Sequence, residues 1–226
     1  MKLLSLSTDA KTIKGEKIGV LTGILYLAPA NVSGYEVCPR RSKGCTDACL
    51  YTAGRGVFKS VKNARIKKTK LFFENRDVFL DLLYKDIKAL IKKADKNNMT
   101  PAVRLNGTSD IEWTRFKIMK DFPDVQFYDY TKGFARITHV VPYLNYHLTY
   151  SLSKPMFQKA EMVYTIRNGV NVAVVFNKKL PSKWWGYQVI DGDISDHRFL
   201  DPRGVIVGLR AKGRAKDMNS HFVVQV

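Results

Sequence analysis

The sequence predicts an α/β fold in which parallel strands alternate with helices and form a partial or complete barrel. Three observations support this prediction. A long amphipathic helical pattern spans residues 76–98, short apolar runs follow it, and brief helical patterns separate those runs. Polar residues collect where each predicted strand ends. The carboxyl ends of parallel strands lie on one rim of a sheet, which is where ligands bind in such folds.

Two consecutive helices are predicted in the first half of the chain. Between residues 76 and 98, apolar residues recur at spacings of three and four, with lysines and aspartates on the other side. An earlier helix is predicted over about 57–73, with a dense basic surface at 59–70. Asn75 marks the break between the two helices.

The other elements are predicted as strands that alternate with helices. The predicted strands are 20–27, 102–105, 125–128, 147–152, 172–176, 188–190 and 205–209. The predicted helices that lie between them are 113–120, 135–144 and 155–168. The dipeptide Asn168-Gly169 also fits a hairpin turn, but Ser153 and Pro155 indicate a helix start, so we favour a helix that ends at Asn168.

The composition indicates one folded domain over residues 1–226. The chain is 45% hydrophobic and 26% charged, so it can bury a core. We divide it into a cysteine loop (34–56), a basic helical pair (57–97) and repeated strand-helix units (101–226). The longest mostly apolar stretch, 18–30, is 13 residues long and interrupted, so no membrane association is expected. No signal sequence is recognised, which predicts a cytoplasmic location.

The net charge indicates an anionic partner. The chain has 38 Lys and Arg against 20 Asp and Glu, a formal charge of +18. Such a surplus attracts nucleotides, nucleic acids and other polyphosphates. A large charge also serves the solubility of an ordinary basic surface.

Three cysteines form the most distinctive motif. Cys38, Cys45 and Cys49 lie within twelve residues, in the loop after the predicted strand 20–27. Three thiols at this spacing can reach one centre. A [4Fe–4S] cluster held by three thiolates leaves one iron open for a ligand, whereas structural zinc requires a fourth side chain. The spacing therefore favours an iron–sulfur cluster, with zinc and free thiols as the alternatives.

This loop resembles the cluster-binding loop of radical S-adenosylmethionine enzymes, which also follows the first strand of a parallel barrel. The intervals here, six and three residues, differ from the three and two usual in that family. The resemblance implies a barrel of that type, a [4Fe–4S] cluster, and S-adenosylmethionine bound to the open iron through its amino and carboxylate groups.

A closer resemblance is to a bacteriophage family, gene product 88-like. It rests on a cysteine-rich loop of this type and on the segments 103–110, 172–176, 189–193, 201–204 and 209–213. The similarity covers most of the chain. It implies a phage or prophage origin, and hence the host cytoplasm, but brings no established activity.

The resemblance to the radical enzymes also implies cofactor contacts on the rim. It directs polar contacts to the methionine amino group at Asn106, Ser109 and Asp110. Asp129 and Ser151 are candidates for binding the ribose hydroxyls by hydrogen bonds. An ordinary helix N-cap explains residues 106–110 as well, and both roles can coexist.

Three aspartates are candidate catalytic residues. Asp191 and Asp193 belong to an acidic segment, 191–197, and Asp110 lies on the same predicted rim. Carboxylates of this kind can bind Mg²⁺ and position water, or act as acid and base. A turn rich in Asp and Gly explains the segment 191–197 equally well.

Five basic residues are candidate substrate contacts, because they lie beside glycines or on the predicted rim and could bind phosphate. These residues are Arg55, Arg104, Lys132, Lys212 and Arg214.

Three functional hypotheses follow. The first is a phage-encoded iron–sulfur enzyme of the radical S-adenosylmethionine type that acts on a phosphorylated, nucleotide or nucleic-acid substrate. The second is a metal-dependent nuclease or nucleic-acid-processing enzyme that uses Asp110, Glu112, Asp191 and Asp193. The third is a non-catalytic phage protein whose zinc-stabilised loop presents a basic surface to nucleic acid or to a host protein.

Overall fold

The structure, a computed structural model, describes residues 1–6, 10–49, 51, 54–139, 143–217 and 221–226. The strands in this part of the chain are β1 (Leu4–Leu6), β2 (Val20–Leu25), β3 (Thr100–Arg104), β4 (Gln126–Thr131), β5 (Tyr146–Ser151), β6 (Val172–Phe176), β7 (Lys183–Trp184), β8 (Tyr187–Asp191), β9 (Ile206–Arg210) and β10 (Val223–Val224). The α-helices are α1 (Ala10–Glu16), α2 (Lys43–Asp47), α3 (Lys59–Glu74), α4 (Arg76–Lys96), α5 (Ile118–Asp121), α6 (Arg136–His139) and α7 (Lys159–Arg167).

The strands form a large, mostly parallel sheet. Seven of them pair in parallel in the order β2-β3-β4-β5-β6-β9-β8. Strand β1 lies antiparallel to β2, β7 lies antiparallel to β8, and β10 pairs in parallel with β6. The predicted α/β class with parallel strands is therefore confirmed. The pairs in the described residues run from β1 to β7 and do not show closure into a barrel.

The predicted helical pair is confirmed as α3 and α4. Asn75 separates them and caps α4, because its side-chain oxygen accepts from the backbone N–H of Val78 (3.3 Å). The spacing of three and four places the apolar residues of α4 on one face, which packs against β2 and β3. The buried residues of this face are Phe79, Leu83, Ile87, Leu90 and Ala94.

The other face of the sheet is covered by the segment 196–199, which follows β8. The ring of His197 is hydrogen-bonded to Thr22 on β2 (2.9 Å), and Phe199 packs on Tyr128 of β4 with ring centroids 5.4 Å apart. The side chains of Thr22 and Tyr128 alternate along their strands with residues of the main core. The sheet is thus covered on both faces, and the segment after β8 supplies part of the second layer.

The seven predicted strands are all present; β6 has the predicted bounds, and the ends of the others are shifted by one to three residues. Strand β4 continues to Thr131 instead of ending at residue 128, and β2 ends at Leu25 instead of at residue 27. Beyond it, the backbone N–H of Ala28 donates to the Thr69 hydroxyl on α3 (2.8 Å), so the chain leaves the sheet for the helical layer. Strands β1, β7 and β10 were not predicted, because each has only two or three residues.

The helices predicted over 113–120, 135–144 and 155–168 are shorter than expected. The first is divided into a 3-10 helix (Trp113–Arg115) and α5, because Phe116 is extended. The second is α6, and residues 140–142 of the prediction lie outside the described residues. The third is divided into a 3-10 helix (Pro155–Phe157) and α7.

Two further predictions concern the connections between strands. Gly169 follows the end of α7 with a positive φ of 74°, so the helix interpretation of Asn168-Gly169 is confirmed. The regular alternation is wrong after β6, where β7, β8 and β9 follow with only a 3-10 helix (Arg198–Leu200) in the described residues between them. Among the described residues, no helix is both long and apolar enough to cross a membrane.

Candidate functional site

A cavity of about 280 Å³ lies at the carboxyl ends of the parallel strands. The loops after β2 and β3 form one side, and the ends of β4, β5, β6 and β9 form the rest together with the segment after β8. Most of the site residues predicted from the sequence line it: Cys38, Cys45, Cys49, Arg104, Asn106, Ser109, Asp110, Lys132, Ser151, Asp193 and Lys212. Residues from seven separate segments therefore meet at one rim.

The three cysteine thiols line this cavity, and all three residues are half-buried. The thiol of Cys38 accepts from the N–H of Ala30 (3.4 Å) and donates to the carbonyl of Thr108 (3.8 Å). Cys38 thereby lies between the loops that follow β2 and β3.

Cys45 is positioned by the cap of the short helix α2. The Ser42 hydroxyl accepts from the N–H of Cys45 (3.1 Å) and donates to the carbonyl of Ser153, beyond β5 (3.0 Å). Cys49 follows the end of this helix, and its N–H donates to the carbonyl of Thr46 (3.2 Å). The local turn chemistry therefore directs both thiols into the cavity from one side.

Burial keeps two of these thiols protonated. Desolvation raises the pKa of Cys38 to about 12 and also raises the pKa of Cys49. The positive charges of Arg65 and Lys132 act in the opposite direction and lower the pKa of Cys49. Thiolates at these positions would therefore need a metal or nearby cations to compensate their charge.

No group of three or more His, Cys, Asp or Glu side chains in the described residues is close enough to hold a single metal ion. Among the described residues, neither a zinc site nor a carboxylate Mg²⁺ site is therefore preassembled. In an iron–sulfur cluster each thiolate binds a different iron, so its thiols stand further apart than around one ion.

Asn106 organises the loop after β3. Its side-chain oxygen accepts from the Ser109 hydroxyl (2.8 Å), the Ile111 N–H (2.9 Å) and the Trp113 indole (3.1 Å). Its amide nitrogen donates to the Ile111 carbonyl (2.9 Å). The side chain predicted to bind a cofactor is thus engaged in shaping the loop. The predicted capping of a helix at Ile111 by Ser109 or Asp110 is wrong, because the next helical turn begins at Trp113 and it is Asn106 that accepts from the Ile111 N–H. Ser109 lines the cavity beside it.

Asp110 forms a buried ion pair with Arg136, a residue that no local pattern identified. The same carboxylate accepts from the Thr131 hydroxyl (2.8 Å) and from the N–H of Lys132 (3.0 Å). The N–H of Asp110 donates to the Val37 carbonyl (2.8 Å), next to Cys38. This predicted catalytic acid therefore joins the cysteine loop to β4.

Asp191 and Asp193 are engaged in ion pairs at the end of β8. Arg210 contacts Asp191 at 2.8 Å and Asp193 at 3.4 Å, and Lys212 contacts Asp193 at 2.7 Å. Asp193 lines the cavity, whereas Asp191 does not. Cations thus neutralise the two aspartates that the nuclease hypothesis requires as metal ligands, and Glu112 is paired with Arg115 (3.1 Å).

Asp129 lies on β4 and is fully buried, and it is not among the residues that line the cavity. Its carboxylate accepts from the N–H of Asn106 (2.6 Å) and the hydroxyl of Tyr146 (2.9 Å). Burial raises the pKa of Asp129 to about 7, although these two hydrogen bonds lower it. In this structure it supports the backbone at the start of the β3 loop instead of facing the predicted ligand.

The predicted basic residues have different environments. Arg104 and Lys132 line the cavity, where Arg104 pairs with Asp196 (2.9 Å) and Lys132 donates to the Ser151 hydroxyl (3.1 Å). Arg214 is exposed in a 3-10 helix (Gly213–Asp217) and does not line the cavity. The side chain of Arg55 lies outside the described part of the structure.

Other lining residues were missed by the sequence analysis. Arg41 also lines the cavity, and its place between Cys38 and Cys45 was a usable signal. Tyr130 and Phe222 complete the walls, from β4 and from the carboxyl-terminal segment respectively. Local periodicity contains no information about these two contacts, because they depend on which strands become neighbours.

The fold and the cavity define an α/β protein with a candidate three-thiol site at the carboxyl rim of a mostly parallel sheet. The family model described as Gene product 88 matches residues 2–225. The chain therefore belongs to this family of phage gene products, which confirms the closer resemblance. No curated protein and no solved structure matches the chain significantly, so the comparisons do not support the resemblance to radical S-adenosylmethionine enzymes.

Proposed function

We propose that this protein is an iron–sulfur protein in which Cys38, Cys45 and Cys49 hold a [4Fe–4S] cluster. The observation that carries the proposal is that all three thiols of the chain line one cavity at the rim of the sheet. Three protein thiolates leave one of four irons without a protein ligand. That iron would face into the cavity that the thiols line, whose volume is about 280 Å³ before a cluster is bound.

The surroundings of the thiols fit a group that binds as thiolates. Metal binding releases the thiol protons, so a site whose thiols are neutral when empty becomes more negative when it is loaded. Lys132 and Arg65 lie close enough to Cys49 to lower its pKa, and Arg41 and Arg104 line the same cavity. These cations would compensate the added negative charge.

When bound, such a cluster supplies an open iron that can chelate the amino and carboxylate groups of a ligand such as S-adenosylmethionine. The chain's own residues would orient that ligand. The hydroxyls of Ser109 and Ser151 line the cavity, and Lys132 offers a cation beside Ser151. Binding of S-adenosylmethionine is thus a more specific proposal than the cluster, and the cluster can be tested without it.

Anaerobic purification followed by iron and sulfide analysis tests the cluster. After reconstitution we expect about four irons and four sulfides per chain, with broad absorbance near roughly 400 nm. Each of the variants Cys38→Ser, Cys45→Ser and Cys49→Ser should lose most of this iron. Lys43→Ala is the matched control, because Lys43 belongs to the same helix α2 and its side chain is 90% exposed.

Two results would contradict the proposal. One is a colourless protein after reconstitution, with iron at the level of the cysteine variants. The other is one tightly held zinc per chain that survives anaerobic purification and disappears in the cysteine variants, which would favour the zinc-stabilised binding protein instead.

A further inference from the structure

The cationic side of the cavity has hydrogen-bond donors that the protein leaves unused. The Nε atoms of Arg41 and Arg104 are buried and have no hydrogen-bond partner among the described residues. Both arginines line the cavity. The side chain of Lys132, on the same side, makes one hydrogen bond among the described residues, to Ser151 (3.1 Å). The two Nε atoms are too deeply buried to face the cavity, so the donors available to a ligand are the outer nitrogens of the arginines and the Lys132 ammonium.

Each carboxylate that lines the cavity is paired with a cation. Asp196 pairs with Arg104 through Nη1, Asp193 pairs with Lys212 and Arg210, and Asp110 pairs with Arg136. Arg41 contacts Glu36 at its Nη1 atom (3.0 Å). The Lys132 ammonium, in contrast, has no ion pair among the described residues, so an anionic ligand would neutralise it. Planar guanidinium forks bind phosphate with high geometric fit.

Part of the cavity wall is apolar. Val175 on β6, Leu209 on β9, Ala215 and Phe222 line it. Phe222 carries the Lys132 ammonium over its ring at 4.9 Å, so the apolar wall and the cationic side meet at this residue. A ligand that satisfies both sides has an anionic end and an apolar body.

We infer that the cavity binds a small phosphate monoester with an apolar body, whose phosphate is held by Arg41, Arg104 and Lys132. The volume of about 280 Å³ lies just below the usual range for small-molecule pockets and excludes a polymer from the interior. This inference concerns the cavity of the proposed function but does not require the cluster, because none of the three cations is a proposed metal ligand.

Phenyl phosphate is the probe, because it combines a phosphate monoester with one apolar ring. Calorimetric titration of the full-length protein should show binding at least about tenfold tighter than that of inorganic phosphate, and no comparable binding of phenol. The phosphate-side variants Arg41→Gln and Lys132→Gln should each weaken binding of phenyl phosphate by about tenfold or more. Leu209→Ala should weaken phenyl phosphate and leave inorganic phosphate unchanged.

Arg115→Gln is the matched control for a lost positive charge, because Arg115 is exposed on a 3-10 helix and does not line the cavity. It should bind phenyl phosphate as the parent protein does. Circular dichroism and thermal unfolding check that each variant is folded. If one of the two phosphate-side variants does not fold, the other still tests the inference.

The inference would be overturned if phenyl phosphate and inorganic phosphate bound with equal affinity, or if Arg41→Gln and Arg115→Gln weakened binding equally. It would also be overturned if a short single-stranded oligonucleotide, but not excess inorganic phosphate, displaced phenyl phosphate. The last would indicate a nucleic-acid site. The same titration on a protein with all three cysteines changed to serine separates this inference from the proposed cluster. Iron analysis reports the cluster and calorimetry reports the phosphate, so each can fail alone.

Discussion

At the residue scale, Asp129 is the most deeply buried acidic side chain among the described residues. It is fully buried on β4, where it accepts hydrogen bonds from the N–H of Asn106 and the hydroxyl of Tyr146. Burial raises the pKa of Asp129 to about 7. Through Asn106 this carboxyl supports the loop that carries Ser109 into the cavity, so its protonation state bears on the stability of the rim.

We expect the Asp129 proton to make the free energy of unfolding depend on pH. Between about pH 4 and pH 7 the folded protein retains this proton, whereas the unfolded chain, with an ordinary aspartate near 3.8, has lost it. Unfolding then releases a proton, so stability falls as the pH rises through this window, by up to about 1.4 kcal/mol per pH unit. Asp129→Asn should remove this fall, measured by urea unfolding from about pH 5 to about pH 7.

The comparison with Asp129→Asn is needed because His147 changes the pH dependence of stability in the opposite direction. Burial lowers the pKa of His147 to about 4, so the folded protein excludes a proton that the unfolded chain binds below its ordinary value of 6.5. That effect is common to both proteins and cancels in their difference. Parallel pH profiles for the two proteins would show that Asp129 is ionised throughout.

Residue identity alone did not distinguish the roles of the aspartates. The sequence placed Asp110 and Asp193 on the rim, where they lie, but did not pair them with Arg136, Arg210 and Lys212. Arg136 is separated from Asp110 by 26 residues and comes from the next unit of the sheet. Such pairs form only when two strands become neighbours, so no local pattern could separate a metal-binding carboxylate from an ion-paired one.

At the element scale, helix α1 shows tertiary packing that overrides helix propensity. Gly15 lies within this helix, where alanine is ordinarily more stable by about 1 kcal/mol. Here a β-carbon at position 15 would lie 2.0 Å from the Cε1 atom of His197. His197 is 1% exposed and its ring is hydrogen-bonded to Thr22. The glycine therefore permits α1 to lie directly against the segment that covers the sheet.

We expect Gly15→Ala to destabilise the protein by about 1–3 kcal/mol, because the imidazole ring has to move in a packed interior. Thermal unfolding measures the change. Lys14→Ala, at the neighbouring exposed position of the same helix, is the control and should unfold close to the parent protein. A Gly15→Ala protein as stable as the control would mean that His197 can shift without cost.

The elements that the sequence predicted best are those whose own residues determine them. The α4 pattern repeats over 21 residues, and β6 was predicted with the bounds it has in the structure. The boundary at residue 158 was wrong because it depends on a side-chain hydrogen bond, which an apolar pattern does not contain. At residue 158, the Gln158 side chain turns back to accept from the N–H groups of Ser153 (2.9 Å) and Lys154 (2.8 Å), which divides the predicted helix. The cysteine loop could be located from sequence, but not the strands that complete its cavity.

At the scale of the whole molecule, which has a net charge of +18, some basic side chains form ion pairs with carboxylates and others do not. At the rim, Arg104, Arg210 and Lys212 pair with aspartates. On α3 the exposed residues Lys67 and Lys70 have no ion pair within 4.0 Å among the described residues. Positive charge therefore remains largely uncompensated on the helical surface, while the cavity has a defined set of cations and partners.

This distribution predicts that salt stabilises the protein. Raising the ionic strength from about 0.01 M to about 0.1 M shortens the screening length from about 30 Å to about 10 Å, which weakens the repulsion among surface lysines. Exposed ion pairs weaken too, but they contribute little. We expect Tm to rise by a few degrees, measured by calorimetry. The double variant Lys67→Glu with Lys70→Glu lowers the net charge by four, so its Tm should rise less with salt. A Tm that falls with salt, or the same rise in both proteins, would mean that local ion pairs outweigh the net charge.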